Sequence, residues 1–282
     1  MTHIPLWQNE LGPFGKFHEP SHVLGAITRA LLAVDRQAKL VAWTGLPGRG
    51  KTVAAGRLLE QAWKTYPNAQ APAYYHQLAG SDGGSNAGQR AGIYNVYSEM
   101  LQELSAGRQS AKGAGGMIKE LVEHFRLYGT RLLILDEAGT QSAEQLRGIT
   151  QITDVAKQRG SPVTIVLVGM DGLVEKLHKK EQVKRRVEVW ETFRDWDRGD
   201  QEALVLQHGP TLPVLREQAG FDAVMETLLT HAHGCVGTIV QHAVELEQRL
   251  TQHPGSCTVT DASRHLKAHL RGVDQRRMRF AA

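Results

Sequence analysis

The 282-residue sequence contains only two cysteines, Cys235 and Cys257. They form no C-x-x-C pair and are too few for a disulfide framework, which excludes a disulfide-stabilised secreted scaffold and favours a reducing cytosol. His231 and His233 precede Cys235 at alternate positions, but zinc sites use other spacings and no second pair of ligands follows. We therefore expect surface or helix-end histidines here rather than a metal site.

Long apolar runs are also missing from the sequence. No stretch approaches the roughly 18 apolar residues that span a membrane. The first residues, MTHIPLWQNELGPFGK, lack the basic segment and apolar run of a secretory signal. Internal repeats and low-complexity tracts are absent as well. These absences exclude membrane and repeat proteins and predict a soluble, cytoplasmic protein with no membrane partner.

Aromatic residues make up only 6% of the sequence, whereas hydrophobic residues reach 41%, which is enough for a real core. The length predicts one large domain, or one domain with a small appendage. The net charge of +4 is mildly basic, which permits binding to nucleic acid without requiring it.

The strongest motif is the stretch 41–53, VAWTGLPGRGKTV. Its core fits G-x-x-x-x-G-K-[ST], the phosphate-binding P-loop. Glycines let successive backbone N–H groups point inward around an anion, and the following helix adds its positive N-terminal end. We expect Lys51 to reach the β- and γ-phosphates of ATP and the Thr52 hydroxyl to bind Mg²⁺. The predicted nucleotide-binding residues are Gly45, Leu46, Pro47, Gly48, Arg49, Gly50, Lys51, Thr52 and Val53.

A second motif is the run 131–138, RLLILDEA. A continuous apolar run that ends in an acid is typical of a central parallel strand, and ligands bind at the carboxyl ends of such strands. The run fits a Walker B motif, in which Asp136 holds Mg²⁺ through water and Glu137 polarises the attacking water. Glu137 is therefore a predicted catalytic residue together with Lys51, and its position favours hydrolysis over phosphoryl transfer to a small molecule.

The order of elements predicts an α/β fold with a parallel sheet flanked by helices. Strands are expected near residues 40–43, 71–78, 131–136, 162–168 and 187–193, the last with an alternating apolar pattern. After residue 200 the pattern predicts only helices, near 200–208, 213–231, 236–252 and 260–271. The predicted divisions are an N-terminal arm over 1–20, a nucleotide-binding core over 21–199, a helical lid over 200–271 and a basic tail over 272–282.

Three further stretches carry a resemblance to a known family. They are 132–146 (LLILDEAGTQSAEQL), 164–187 (TIVLVGMDGLVEKLHKKEQVKRRV) and 233–243 (HGCVGTIVQHA). With the P-loop, they make the chain resemble an AAA+ ATPase, and in particular the transposition regulators of the TnsC, TniB and MuB group. The resemblance covers about residues 20–270. It implies a P-loop AAA+ fold with a C-terminal helical lid, and ATP and Mg²⁺ as cofactors.

The resemblance also implies a function. It predicts an ATPase that oligomerises on double-stranded DNA as a ring or helical filament, marks target DNA, and recruits or activates a transposase, often with a target-selection protein. Contacts to DNA would be independent of its sequence. In this group the region between the second strand and Walker B lines the pore, and it supplies the candidate DNA-binding residues Arg90, Arg108, Lys112 and Lys119. Arg186, with Arg185 in reserve, falls where the family carries an arginine finger for a neighbouring subunit.

The chain departs from the family pattern at two positions. The polar sensor falls on Met170 and the lid arginine on Gly237, which implies slow hydrolysis that depends on a partner or on the oligomer. Two alternatives stay open. One is an AAA+ ATPase of another system, such as a helicase loader or a secretion-assembly ATPase. The other is a small-metabolite kinase with a mobile lid at 184–186, against which Glu137 and the helical C-terminus argue.

Overall fold

The computed structural model describes residues 20–78, 88–105, 113–208, 211–252 and 258–281, without the side chains of 88–91 and 271–281. The described chain divides into two compact units, one over Ser21–Arg194 and one from Asp195 onward. The division falls a few residues before the boundary expected at 199. The arm predicted over 1–20 lies outside the described residues, except for Pro20.

A five-stranded parallel sheet forms the centre of the first unit, as the sequence predicts. The strands are β1 (Leu40–Gly45), β2 (Ala73–Gln77), β3 (Leu132–Asp136), β4 (Thr164–Val168) and β5 (Val187–Phe193), in the spatial order β2-β3-β4-β1-β5. The strands β1, β3 and β4 are buried along their whole length. Their continuous apolar runs fit this position, because both faces of a central parallel strand are covered by helices.

Seven helices belong to the described part of this unit. They are α1 (Ser21–Asp35), α2 (Lys51–Thr65), α3 (Gly88–Leu104), α4 (Ala114–Tyr128), α5 (Ala143–Gln158), α6 (Gly172–His178) and α7 (Glu181–Lys184). Buried residues of α3, α4 and α5 form one core cluster with alternate residues of the central strands, such as Leu133, Leu135 and Leu167. Helix α2 contacts β1 to β4, and α1 packs beside α2. The sheet is therefore a layer between helices, which confirms the predicted fold class.

The second unit is helical within its described residues. Its helices are α8 (Arg198–Leu206), α9 (Thr211–Leu215), α10 (Phe221–Ala232), α11 (Val236–Gln252) and α12 (Val259–Ala281). The buried carboxylate of Glu247 accepts hydrogen bonds from the backbone N–H groups of Thr211 and Leu212, at 2.9 and 3.1 Å. These bonds satisfy donors that the start of α9 leaves open and tie α9 to α11.

Two expectations for this unit need correction. The single helix expected over 213–231 is two helices, because the backbone of Gly220 is left-handed, with φ 90°, directly before α10. The residues 272–281 continue α12 rather than forming a separate tail. Within the described residues, no helix combines the length and apolar character needed to cross a membrane.

Candidate functional site

The loop between β1 and α2 has the backbone that the glycine pattern predicts. Gly45, Gly48 and Gly50 have φ angles of 142°, 74° and 83°, which residues with a side chain rarely adopt. A Cβ atom on Gly45 would also lie 2.4 Å from the carbonyl oxygen of Phe193 at the end of β5. Glycine is therefore required where this loop leaves the sheet, for both its conformation and its close packing.

Lys51 is the first residue of α2, and its side chain folds back over this loop. Its Nζ donates hydrogen bonds to the carbonyl oxygens of Gly45, at 2.8 Å, and Leu46, at 2.7 Å. These carbonyls hold the ammonium group inside the loop, beside the N-terminus of α2. The arrangement places a cation and the start of a helix together, which is a favourable environment for an anion.

The charge balance around Lys51 is set by burial and by its neighbours. Burial lowers the pKa of Lys51, the carboxylates of Asp136, Glu137 and Asp171 act in the opposite direction, and Arg49 lowers it further. Because the net direction is downward, these carboxylates do not fully offset the cost of burying the cation. A bound phosphate would supply the missing negative charge.

Asp136 lies at the carboxyl end of β3 and joins the two motifs. Its Oδ2 accepts hydrogen bonds from Thr52 Oγ1, at 2.7 Å, and from the hydroxyl of Tyr75, at 2.9 Å, and its Oδ1 accepts one from the backbone N–H of Glu137, at 2.8 Å. Asp136 is only 3% exposed. A hydroxyl and a carboxylate at this spacing offer the oxygen ligands that Mg²⁺ prefers, with the remaining positions left to phosphate and water.

Glu137 follows Asp136 in an unusual backbone conformation. Its φ and ψ are 56° and 28°, in the left-handed region, and the chain then turns into a short 3-10 helix over Ala138–Thr140. The Thr140 hydroxyl donates to the Glu137 carbonyl at 2.7 Å. This turn leaves the half-buried Glu137 side chain at the end of the sheet on which Lys51 also lies. Thr52, Asp136, Lys51 and Glu137 are thus brought together, as the two motifs predict.

The structure places Arg186 against its own chain. Its guanidinium donates to the Thr150 hydroxyl and to Asp154 Oδ2, the latter at 2.6 Å, and the other carboxylate oxygen of Asp154 accepts from Lys39 at 2.9 Å. Arg185 is exposed and pairs only along its own helical turn, with Glu181 at 3.0 Å, among the contacts that the structure gives. The finger assignment to Arg186 therefore stays a prediction that requires this ion pair to open.

The other predicted site residues are less defined. Arg108 and Lys112 lie outside the described residues, as does the side chain of Arg90, while Lys119 is exposed on α4. Met170 is 48% exposed. In the separate helical unit, a Cβ atom on Gly237 would meet nothing within 4 Å.

Sequence reasoning missed Tyr75 as a member of this site. Its position in a strand was predicted, but its contact with Asp136 depends on the pairing of β2 with β3 in register. The available signal was the alternation of side chains along a strand, which puts Tyr75 on the opposite face from Tyr74 and His76.

Comparison with known proteins places the chain among AAA domains. The sequence pattern of the family described as AAA domain matches residues 34–177, just over half of the chain. This match includes both motifs and the strand β4. No curated protein sequence is significantly similar to the chain.

Several solved structures share the fold at low sequence identity. The Aeropyrum pernix ORC1 protein in complex with DNA has a TM-score of 0.61 and 17% identity, over 92% of this chain and 68% of that chain. The Aeropyrum pernix ORC2 protein, in ADPNP–ADP complexes, has a TM-score of 0.58 and 14% identity, over 88% and 66%. Domain III of the Thermotoga maritima replication initiation protein DnaA has a TM-score of 0.53 and 11% identity, over 90% and 95%. The chain thus spans about two thirds of the ORC proteins.

Proposed function

Because the chain belongs to the AAA domain family, we propose that it is an ATPase that binds ATP with Mg²⁺ at the P-loop and acts on double-stranded DNA. The observation that carries the proposal is the hydrogen bond between Thr52 and Asp136. It joins the P-loop helix to the end of β3 and positions two oxygen ligands side by side. A structural role alone would not require a half-buried lysine beside them, at the end of a loop whose glycines have positive φ angles.

The residues divide the chemistry between them. The backbone N–H groups of the glycine loop and the ammonium of Lys51 bind the phosphates, with the pKa of Lys51 lowered by burial in the absence of that anion. Thr52 and Asp136 would hold Mg²⁺, which would supply positive charge to the terminal phosphates. Glu137 orients water and accepts its proton as the water attacks the γ-phosphate and ADP leaves.

Turnover is expected to be slow in an isolated subunit. The TnsC, TniB and MuB group has a polar sensor residue at the position of Met170. The Met170 side chain cannot donate a hydrogen bond to a phosphate. The charge that develops as the γ-phosphate leaves then needs a cation from elsewhere. We propose Arg186 of a neighbouring copy, with Arg185 as the alternative, since such a residue is worth roughly 10³–10⁵ in rate in other nucleotidases.

The DNA-directed part of the proposal rests on two observations. The chain carries a net charge of +4, and the similar ORC1 structure was solved with DNA. We propose that homo-oligomers assemble on duplex DNA with ATP and contact its phosphates, which makes binding independent of sequence and sensitive to salt. The resemblance to the TnsC, TniB and MuB group then favours a role in transposition, with a transposase and a target-selection protein as partners.

A second candidate is the loading of a replicative helicase. The similar structures include ORC proteins and a replication initiation protein, which favours this alternative over a secretion ATPase. Family membership also disfavours the kinase alternative. Affinity capture with purified candidates would separate the two DNA-directed functions. ATP-dependent binding of a transposase supports the first, and ATP-dependent binding of a replicative helicase supports the second.

The test of the proposed function compares Lys51→Ala and Glu137→Gln with the wild-type chain. Lys51→Ala removes the cation that binds the phosphates, so ATP binding and ATP-dependent association with duplex DNA should both be lost. Glu137→Gln removes only the proton acceptor, so it should keep both and lose turnover. Fluorescent-nucleotide titration, co-sedimentation with DNA and phosphate release measure the three properties. Equal ATP affinity in Lys51→Ala and wild type would contradict the site assignment.

A further inference from the structure

Strand β2 presents different chemistry on its two faces. Tyr74 and His76 point to one face, where both contact the carboxylate of Glu103 on α3. Tyr75 lies between them in the sequence and points to the opposite face, as the alternation of a strand dictates. That is the face toward the glycine loop and Asp136. The strand thus contributes one side chain to the nucleotide site, although it contains neither of the two motifs.

The pairing of β2 with β3 fixes where the Tyr75 side chain reaches. Tyr75 is level with Ile134, and Gln77 is level with Asp136. The ring of Tyr75 therefore extends diagonally, toward the carboxyl end of the neighbouring strand, a distance that aromatic side chains can cover. Its hydroxyl donates to Asp136 Oδ2 at 2.9 Å.

The hydroxyls of Tyr75 and Thr52 donate to the same oxygen of Asp136. The backbone N–H of Glu137 donates to the other oxygen. Three donors around one buried carboxylate define both its rotation and its charge distribution. Hydrogen bonds to a carboxylate that holds a metal, directly or through water, orient that carboxylate and tune the affinity of the site for the ion.

We propose that Tyr75 is a positioning residue, whose hydroxyl holds the Asp136 carboxylate in the orientation required for Mg²⁺-dependent nucleotide binding. This inference rests on the proposed function of the site. Without the Tyr75 hydroxyl, Asp136 keeps Thr52 and the Glu137 N–H as donors but loses one of the two donors to Oδ2, so its orientation is held less firmly. Mg²⁺ demands a nearly ideal arrangement of its ligands, so a carboxylate that is held less firmly binds the ion less tightly.

A tyrosine hydroxyl has a single proton, and the Tyr75 hydroxyl donates it to Asp136 Oδ2. Tyr75 acts through Asp136 and does not itself exchange a proton in the reaction.

The experiment measures how much Mg²⁺ strengthens nucleotide binding in Tyr75→Phe. A fluorescent ATP analogue is titrated into the full chain, once with Mg²⁺ and once with EDTA. Because the substitution removes only the hydroxyl, affinity in EDTA should equal that of the wild-type chain. The gain in affinity on adding Mg²⁺ should fall about tenfold or more, the effect typical of removing such a partner of a metal ligand.

Tyr74→Phe is the matched control. It removes a tyrosine–carboxylate hydrogen bond from the adjacent residue of the same strand, on the face away from Asp136. It should therefore leave the Mg²⁺-dependent gain unchanged. Thermal unfolding of both variants without nucleotide verifies that each one folds.

The outcomes separate this inference from the proposed function. An unchanged Mg²⁺ gain in Tyr75→Phe overturns the inference, and so does an equal loss of affinity in Mg²⁺ and in EDTA, which indicates a general structural role. A loss of the gain in Tyr74→Phe as large as in Tyr75→Phe also overturns it. If Lys51→Ala loses ATP binding in the same assay, the proposed site stands whichever of these results is found.

Discussion

Glu137 combines a proposed catalytic side chain with an unfavourable backbone. Its φ of 56° places a residue with a long side chain in the left-handed region, at a cost of about 1–2 kcal/mol. Strain of this kind persists where the surrounding structure fixes the chain and is common at functional sites. Here the Thr140 hydroxyl and the 3-10 turn hold the conformation.

Glu137→Gly should stabilise the nucleotide-free protein while abolishing turnover. Glycine adopts this φ without strain, and after the extra flexibility of the unfolded chain is subtracted, the gain in the free energy of unfolding should be about 0.5–1 kcal/mol. Urea unfolding measures the difference. Glu137→Gln keeps the strain and should unfold close to the wild-type chain. A Glu137→Gly variant that is less stable than Glu137→Gln would contradict the argument.

For individual residues, the sequence is informative where the residues that form a feature lie close together in the chain. The conformation of the glycines and the placement of Lys51 and Thr52 beside them are predictable because one short loop contains all of these residues. Tyr75 is not, since its role depends on a neighbouring strand far away in the sequence. Arg186 was predicted to act on another subunit, yet its contacts with Thr150 and Asp154 could not be read from a run of basic residues.

Helix α5 shows how an element that follows the site is anchored. Ser142 Oγ accepts a hydrogen bond from the backbone N–H of Gln145 at 3.2 Å, and the Gln145 side chain accepts one from the backbone N–H of Ser142 at 2.7 Å. This capping box satisfies donors at the start of the helix. It fixes where α5 begins after the turn that carries Glu137, and the same helix supplies Thr150 and Asp154.

Ser142→Ala should lower the free energy of unfolding by about 1 kcal/mol, because it removes the cap without touching the core. Ser142→Thr keeps a hydroxyl at the same position and should retain most of the stability. Thermal and urea unfolding of both variants provide the measurement. Equal stability of Ser142→Ala and Ser142→Thr would show that the capping hydrogen bond contributes nothing.

The boundaries of helices and strands were predictable where the hydrophobic periodicity and the turn-forming residues indicate the same end point. The central strands follow directly from their apolar runs. The break between α9 and α10 was missed because periodic apolar residues continue across it, although Gly220 takes a left-handed conformation. The residues 272–281 were assigned to a tail because they lack an apolar face, yet they continue a helix that begins at Val259.

At the scale of the whole molecule, the position of Arg186 bears on assembly. Arg186 forms an ion pair with Asp154 of its own chain. The pair is partly exposed, and 25% of the Arg186 side-chain surface is accessible to solvent. Asp154 also accepts a hydrogen bond from Lys39, so it keeps a cationic partner when Arg186 leaves. Arg186 can therefore be exchanged to a phosphate of a neighbouring subunit without leaving the Asp154 carboxylate unpaired.

Arg186→Ala should bind ATP but assemble poorly and hydrolyse slowly. Mixing it with Lys51→Ala should restore some activity, because one mixed interface pairs an intact nucleotide site with an intact arginine. Sedimentation with ATP and DNA, and phosphate release from the mixture, test both effects.

Asp154→Asn is the matched control for this assembly prediction. It breaks the same ion pair but keeps the arginine, so it should retain the activity that Arg186→Ala loses. If Asp154→Asn is as impaired as Arg186→Ala, the arginine acts only within its own chain. No recovery on mixing two folded variants would also count against a shared site.

The order of the strands in the sheet determines when the proposed nucleotide site can form during synthesis on the ribosome. Thr52 and Asp136 are 84 positions apart, and the strand that separates β1 from β3 in the sheet is β4, which follows both in the sequence. When Asp136 has emerged from the ribosome, both motifs have been synthesised. The strand β4, which lies between β1 and β3 in the sheet, has not yet emerged. The nucleotide site is therefore completed only after Val168 has emerged. Since a ligand stabilises only the form that binds it, nucleotide bound at the proposed site would stabilise only chains whose sheet is complete.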